Sequence, residues 1–120
     1  MTKQKLAEWM QVTFKECEGL RNAGQKEYAR REENAFANFE RVAERIGISR
    51  EKVLMVYAEK HLDGLHAYCD GHKSQREDIR GRINDLIVYL AILRGMIEEN
   101  EVPFLTNGDG EYSMENGENV

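Results

Sequence analysis

Proline and aromatic residues are scarce in this chain, and cysteine is rarer than in disulfide-stabilised proteins. The 120 residues include one proline and two cysteines, and aromatic side chains make up 8% of the sequence. So few prolines and aromatic residues argue against a fold rich in loops or strands. Because two cysteines cannot form a disulfide framework, the composition predicts a reduced, cytoplasmic protein.

Long apolar runs are missing as well. The longest one, from Leu86 to Leu93, is interrupted by Tyr89 and is much shorter than the roughly 20 residues that a membrane span needs. The N-terminal residues form an amphipathic pattern at once and lack the apolar core of a signal peptide. We therefore expect no membrane partner.

Positive charge is in deficit. Seventeen lysines and arginines face 22 aspartates and glutamates, which gives a net charge of −5. This balance excludes non-specific binding to nucleic acid, whose phosphates require a basic surface. Basic residues still concentrate within residues 21–31 and 73–82. Either these stretches are solvated helix surfaces, or they meet around an anionic small molecule.

Several signatures of nucleophilic catalysis are absent. The sequence has no glycine-rich phosphate loop, no nucleophile elbow and no serine–histidine pair at a characteristic spacing. Nucleophilic catalysis therefore has no support in the residues.

What the chain does contain is apolar residues at helical spacing in four segments. We predict a first helix from near Thr2 to about Arg21 and a second one that ends at Gly47. Ser49 should cap a third helix, and a capping box at residues 74–77 should open a fourth helix over residues 75–99. The prediction is an all-α fold: an antiparallel bundle of about four helices in one domain over residues 1–101, followed by a flexible acidic tail over residues 102–120.

The fourth helix is apolar around most of its circumference, and we expect Leu90 at its buried centre. Such a helix must be covered on several sides. Either it is the central helix of the bundle or it lies at the interface of a homodimer. Because four helices of unequal length cannot easily surround one of their own number, we expect a homodimer.

Carboxylates set into apolar helix surfaces suggest a metal site. Asp85 lies at the edge of the apolar surface of the fourth helix, Asp78 lies two turns before it, and Asp63 interrupts the apolar pattern of the third helix. A buried carboxylate is costly unless it is paired or bound to a metal. We predict that Asp63, Asp78 and Asp85 hold Mg²⁺; a salt bridge from Asp85 to Arg82, or to a lysine across the bundle, is the alternative.

Three further side chains are candidates for ligand binding. Asn34 and Asn38 flank core aromatic residues, and their amides would pair with a base or sugar edge, or with backbone carbonyls. Asn34 could instead cap the second helix. Lys60 lies beside the metal candidates and would bind phosphate.

A cluster of histidine and cysteine suggests zinc as another possibility. His66 and Cys69 lie one turn apart, and His72 follows the third helix, so the three could bind Zn²⁺ at an open site. His61 points away from His66 on a helix, and no CxxC pair supports the cluster. An exposed rim of histidines beside a buried thiol is the alternative.

Several segments together resemble a known family. They are residues 25–29, 34–39, 60–63, 77–78 and 83–90, the most specific being Asp85 followed by an apolar pair and Tyr89. The chain resembles the phage-associated helical family named for nucleotide modification, and it is more distantly similar to the all-α nucleoside-triphosphate pyrophosphohydrolases. The resemblance implies an often dimeric helical bundle that handles nucleotides in phage-infected cells.

The chain also departs from the pyrophosphohydrolases. In those enzymes an ExxE pair and an ExxD pair hold Mg²⁺, whereas here Glu59 and Asp63 are four residues apart and Arg82 replaces the glutamate of the second pair. The leading prediction is therefore a phage-type accessory protein that recognises a nucleotide, with hydrolysis left open. The alternative is a small acidic phage protein that binds and inhibits a host defence enzyme.

Overall fold

The computed structural model describes residues 1–30, 33–73 and 76–101, and these residues form an all-α fold. Helix α1 spans Lys3–Gly24 and continues as a π-helix over Gln25–Ala29. Helices α2, α3 and α4 span Ala37–Ile46, Arg50–Cys69 and Ile79–Glu101. The predicted fold class is confirmed, and no strand occurs in the described ranges.

Helices α3 and α4 form the centre of the structure and run antiparallel. At the start of α3, Arg50 contacts Glu99 near the end of α4, whereas farther along α3 His61 faces Asp85 near the start of α4. Helix α1 packs against α4, and α2 packs against α3. Polar residues on α3 and α4 are therefore brought together across the bundle although they are far apart in sequence.

The beginnings of α1 and α3 and the end of α2 follow the predicted local chemistry. The Thr2 hydroxyl accepts a hydrogen bond from the Lys5 amide at 3.1 Å, and the Ser49 hydroxyl accepts one from the Lys52 amide at 3.2 Å. Gly47 ends α2 with a φ of 75°, a left-handed conformation that glycine adopts without strain. These three boundaries confirm the predictions for the first three helices.

Helix α4 begins later than predicted. It starts at Ile79 instead of residue 75, because the carboxylate of Asp78 accepts a hydrogen bond from the Arg80 amide at 2.8 Å. The Asp78 carboxylate thereby satisfies one of the free amides in the first turn of the helix. Residues 74 and 75 of the predicted capping box lie outside the described residues.

The core lies where α2, α3 and α4 meet. Its buried side chains are Phe39, Val53, Leu54, Ile92 and Met96. Arg50 closes one end of this core, because its guanidinium bonds to Glu40 at 2.7 Å and to Glu99 at 2.8 Å and lies 4.9 Å from the centre of the Phe36 ring. One arginine therefore connects all three core helices.

The predicted burial of Leu90 is wrong. Leu90 is 50% exposed, because α3 and α1 cover other sides of α4 and leave open the side that carries Leu90. Ile83 and Ile97, seven residues to either side of Leu90, are also exposed. Helix α4 is thus not surrounded within one chain, and the homodimer, which was the other way to cover its apolar surface, stays a prediction.

Two further predictions concern the membrane and the C-terminal tail. None of the described helices is both long enough and apolar enough to cross a membrane. The predicted acidic tail, residues 102–120, lies outside the described residues, and α4 ends immediately before it at Glu101.

Candidate functional site

A cavity of about 470 Å³ opens where the end of α1 and the π-helix meet α2, α3 and α4. Its lining combines aromatic, amide and charged side chains drawn from all of these elements. The residues on which the site depends are Arg21, Glu27, Tyr28, Asn38, Phe39, Tyr57, His61, Asp85 and Tyr89.

The π-helix Gln25–Ala29 forms one wall of this cavity and contributes Glu27 and Tyr28. It is followed by Arg30 with a φ of 62°, an uncommon conformation for a residue other than glycine. The guanidinium of Arg41 donates a hydrogen bond to the Tyr28 carbonyl at 2.6 Å and ties this segment to α2. π-helices are rare in proteins overall, and those that occur are frequently found at functional sites. The π-helix therefore supports the cavity as a candidate functional site.

The aromatic part of the cavity is built around Phe39. The centre of its ring lies 5.8 Å from that of Tyr57 and 6.3 Å from that of Tyr89, which are ordinary packing distances for aromatic pairs. Burial raises the pKa of the Tyr89 hydroxyl, and the negative charge of Asp85 raises it further. Tyr89 therefore remains a neutral hydroxyl at physiological pH.

The charged part of the cavity centres on His61 and Asp85. The Nδ1 atom of His61 lies 3.6 Å from a carboxylate oxygen of Asp85, which is too far for a hydrogen bond. His61 is only 8% exposed, and its Nδ1 atom has no hydrogen-bond partner in the described part of the chain. The Tyr89 ring packs on the imidazole at 5.6 Å between centres and holds its orientation.

Charges of both signs surround Asp85. Burial raises the pKa of its carboxyl, and the carboxylate of Glu77 adds to this, whereas His61, Arg82 and Lys60 act in the opposite direction. The net effect is a pKa above the usual value. A cation bound between the carboxylates of Asp85 and Glu77 would be attracted by both of them.

Within the described ranges, one group of side chains has ligand atoms close enough to share a metal: His61, Glu77 and Asp85. One ligand atom from each residue lies within 4.8 Å of the other two. Glu77 belongs to the bend that precedes α4, so its exposed side chain reaches Asp85 from outside the helix. The predicted set of Asp63, Asp78 and Asp85 shares only Asp85 with this group.

Asp63 and Asp78 lie elsewhere. Asp78 is exposed and caps α4, and its carboxylate also pairs with the Arg80 guanidinium at 3.2 Å. The hydrogen bond from the Arg80 amide lowers the pKa of Asp78. Asp63 is exposed on α3, and neither residue belongs to the group that could share a metal.

No family model, curated protein or solved structure matches this chain.

The two predicted amides have different surroundings. Asn38 lines the cavity, and its side chain forms no hydrogen bond with the described residues. Asn34 is occupied: its amide nitrogen donates to Glu40 at 2.8 Å and its amide oxygen accepts from the Phe36 backbone at 3.0 Å. Phe36 is the N-cap residue of α2 and no side chain caps the helix, so the alternative that Asn34 caps α2 is wrong; Asn34 stabilises the turn before the helix instead.

Lys60 and Arg82 supply positive charge beside Asp85. Lys60 is exposed next to His61 on α3. Arg82 crosses α3 over Gly64, where a Cβ atom would lie 2.5 Å from Cδ of Arg82. The buried Nε of Arg82 has no hydrogen-bond partner among residues 1–30, 33–73 and 76–101.

The zinc alternative is not assembled in the structure. His66 and Cys69 are exposed at the end of α3, and His72 follows it. These residues do not form a group of ligand atoms within 4.8 Å in the described part of the chain. The expected buried thiol at Cys69 is wrong; the buried thiol is Cys17.

Two members of the site, His61 and Glu77, were not predicted as ligands. His61 carried a usable signal, because it continues the apolar spacing of Leu54 and Ala58, and a polar residue at such a position is buried and needs a partner. Glu77 carried none, because it precedes α4 and helical spacing cannot relate it to Asp85.

Proposed function

We propose that this protein binds a nucleotide, or a small molecule derived from one, in the cavity at the end of α1. The observation that carries the proposal is that one cavity joins aromatic rings to a cluster of charged side chains. A nucleotide has the same two parts, a flat base and an anionic phosphate. The volume of about 470 Å³ lies within the range of small-molecule sites, roughly 300–1,000 Å³.

The base would occupy the aromatic part of the cavity. Tyr28, Tyr57 and Tyr89 line it beside Phe39, and stacking of a base on an aromatic ring contributes about 1–3 kcal/mol. The amide of Asn38 offers two donors and an acceptor, which suits the hydrogen-bonding edge of a base. Because this amide has no partner in the described chain, it would lose no existing bond on binding.

The phosphate would lie toward the charged part, where Lys60 and Arg82 provide positive charge. The carboxylates of Asp85 and Glu77 would repel it unless a divalent cation lies between them. The predicted Mg²⁺ cofactor would lie at this position. Such a cation would also stabilise the charge that develops during hydrolysis of a phosphoanhydride, which is the reaction that the proposal allows.

Thermal denaturation with nucleoside mono-, di- and triphosphates, each with Mg²⁺ and with chelator, tests the proposal. A ligand at a hundredfold excess over its Kd stabilises the protein by about 2.7 kcal/mol, which is easily measured. Lys60→Met should weaken a phosphate-dependent shift, whereas Lys52→Met, at another exposed position of α3, should not. Release of pyrophosphate that is lost in Asp85→Asn would establish hydrolysis; absence of any shift would refute nucleotide binding.

A second candidate function is inhibition of a host defence enzyme by a small acidic phage protein. It is favoured by the row of exposed large apolar side chains along α1, formed by Leu6, Trp9, Met10 and Phe14. Large exposed apolar patches commonly mark surfaces that bind other proteins. This function becomes the leading one if no nucleotide binds.

A further inference from the structure

We infer that His61, Glu77 and Asp85 form a binding site for one divalent transition-metal ion of the Zn²⁺ and Mn²⁺ class. The site lies at the charged end of the cavity, and its occupation does not require a nucleotide. Its ligands also differ from the predicted set of Asp63, Asp78 and Asp85, because they include an imidazole and a glutamate from outside the helices.

The distance between His61 and Asp85 fits a shared metal better than a direct contact. Two ligands at about 2.1 Å from a tetrahedral metal lie about 3.4 Å apart. The Nδ1 atom of His61 and the nearer carboxylate oxygen of Asp85 are 3.6 Å apart, whereas a hydrogen bond would bring them to about 2.9 Å. Together with the carboxylate of Glu77 within 4.8 Å, they outline three corners of such a site.

The burial of His61 is the independent observation that points to a ligand. Its side chain is nine-tenths buried, and its Nδ1 atom faces Asp85 without a hydrogen-bond partner in the described chain. Buried polar atoms of this kind are nearly always satisfied. A metal bound to Nδ1 satisfies the atom, and the packing of Tyr89 on the ring holds the imidazole in place for it.

The ligand types select the class of ion. Imidazole suits Zn²⁺ and other transition metals, whereas Mg²⁺ prefers carboxylates, carbonyls and water. The charges agree with a cation, since Glu77 and Asp85 repel each other across the site and a divalent ion removes that repulsion. Three protein ligands leave a coordination position open to the cavity, as in catalytic rather than structural zinc sites.

Titration of the full-length, chelator-treated protein with Zn²⁺ and Mn²⁺ alone tests the inference. Calorimetry should show one ion per chain for at least one of the two, and Co²⁺ should give the visible absorption of a site with a nitrogen ligand. Mg²⁺ at the same concentration should not compete.

Glu77→Gln is the most informative variant, because Glu77 is exposed and outside the helices and its substitution leaves the core intact. Affinity should fall at least tenfold in Glu77→Gln and in Asp85→Asn, and remain unchanged in Glu59→Gln, an exposed carboxylate of α3 outside the group. The inference is overturned if no ion binds at one per chain, if Mg²⁺ binds equally well, or if Cys69→Ser rather than Asp85→Asn abolishes binding. Nucleotide binding is measured separately with Mg²⁺ as the only divalent ion, and metal binding is measured without nucleotide, so the two proposals fail independently.

Discussion

Leu54→Ala and Leu90→Ala are the same substitution at positions that differ only in burial. Leu54 is fully buried in the core, whereas Leu90 is 50% exposed on α4. Replacing leucine with alanine removes three carbon atoms, whose loss from a buried position costs about 2.4 kcal/mol at about 0.8 kcal/mol each. The cavity left at Leu54 raises its cost to about 3–5 kcal/mol, whereas Leu90 should cost about 1 kcal/mol.

Urea denaturation followed by circular dichroism measures both free energies of unfolding, and the urea dependence should be the same for the two variants. At roughly 4 °C per kcal/mol for a domain of this size, melting temperatures should fall by about 12–20 °C for Leu54→Ala and about 4 °C for Leu90→Ala. A small loss at Leu54 would refute the assigned core. A large loss at Leu90 that shrinks as the protein is diluted would show that a second copy covers it, as in the predicted homodimer, because dilution also dissociates the wild type.

Two other predictions concern charged groups. Arg50→Lys should lose about 1.5–3 kcal/mol of stability in urea denaturation. A lysine has one nitrogen, whereas two guanidinium nitrogens of Arg50 bond to separate partners, one to Glu40 and Glu99 and the other to Asn100. Full stability of this variant would contradict the role of the guanidinium. The pKa of Asp85 is raised in the folded protein, so its charge destabilises the metal-free fold above that pKa but not below about pH 3.9, the pKa of an unfolded aspartate. Asp85→Asn should therefore increase the free energy of unfolding relative to the wild type at pH 7 and not at pH 3.5. Equal differences at both pH values would refute the effect.

Local chemistry explains which helix boundaries could be predicted. Ser49 and Gly47 act through their own backbone neighbours, so the sequence contains everything that determines them. At the start of α4 the sequence contains two candidate caps, Ser74 and Asp78, and it is the carboxylate of Asp78 that accepts the hydrogen bond from the Arg80 amide. The π-helix was not predicted, because its extra residue in the turn leaves no periodic pattern over five residues.

The candidate site was less predictable than the fold, because it depends on contacts between helices. Asp85, Asn38 and Lys60 could be recognised as polar residues in helical segments, but their partners depend on how α3 and α4 align. That alignment placed His61 opposite Asp85 and left Asp63 on the exposed side of α3. Periodicity within a helix relates residues of that helix only, and it carries no information on the bend that contains Glu77.

The crossing of Arg82 over Gly64 limits how this sequence can change. Even a methyl group at position 64 would meet the arginine side chain at 2.5–2.9 Å, so either Arg82 must swing away or α3 and α4 must separate. Separation would pull His61 from Asp85, one turn away on each helix. In sequences descended from this one, residues 64 and 82 should consequently change together: a larger residue at the first should accompany a smaller one at the second wherever the cavity is retained.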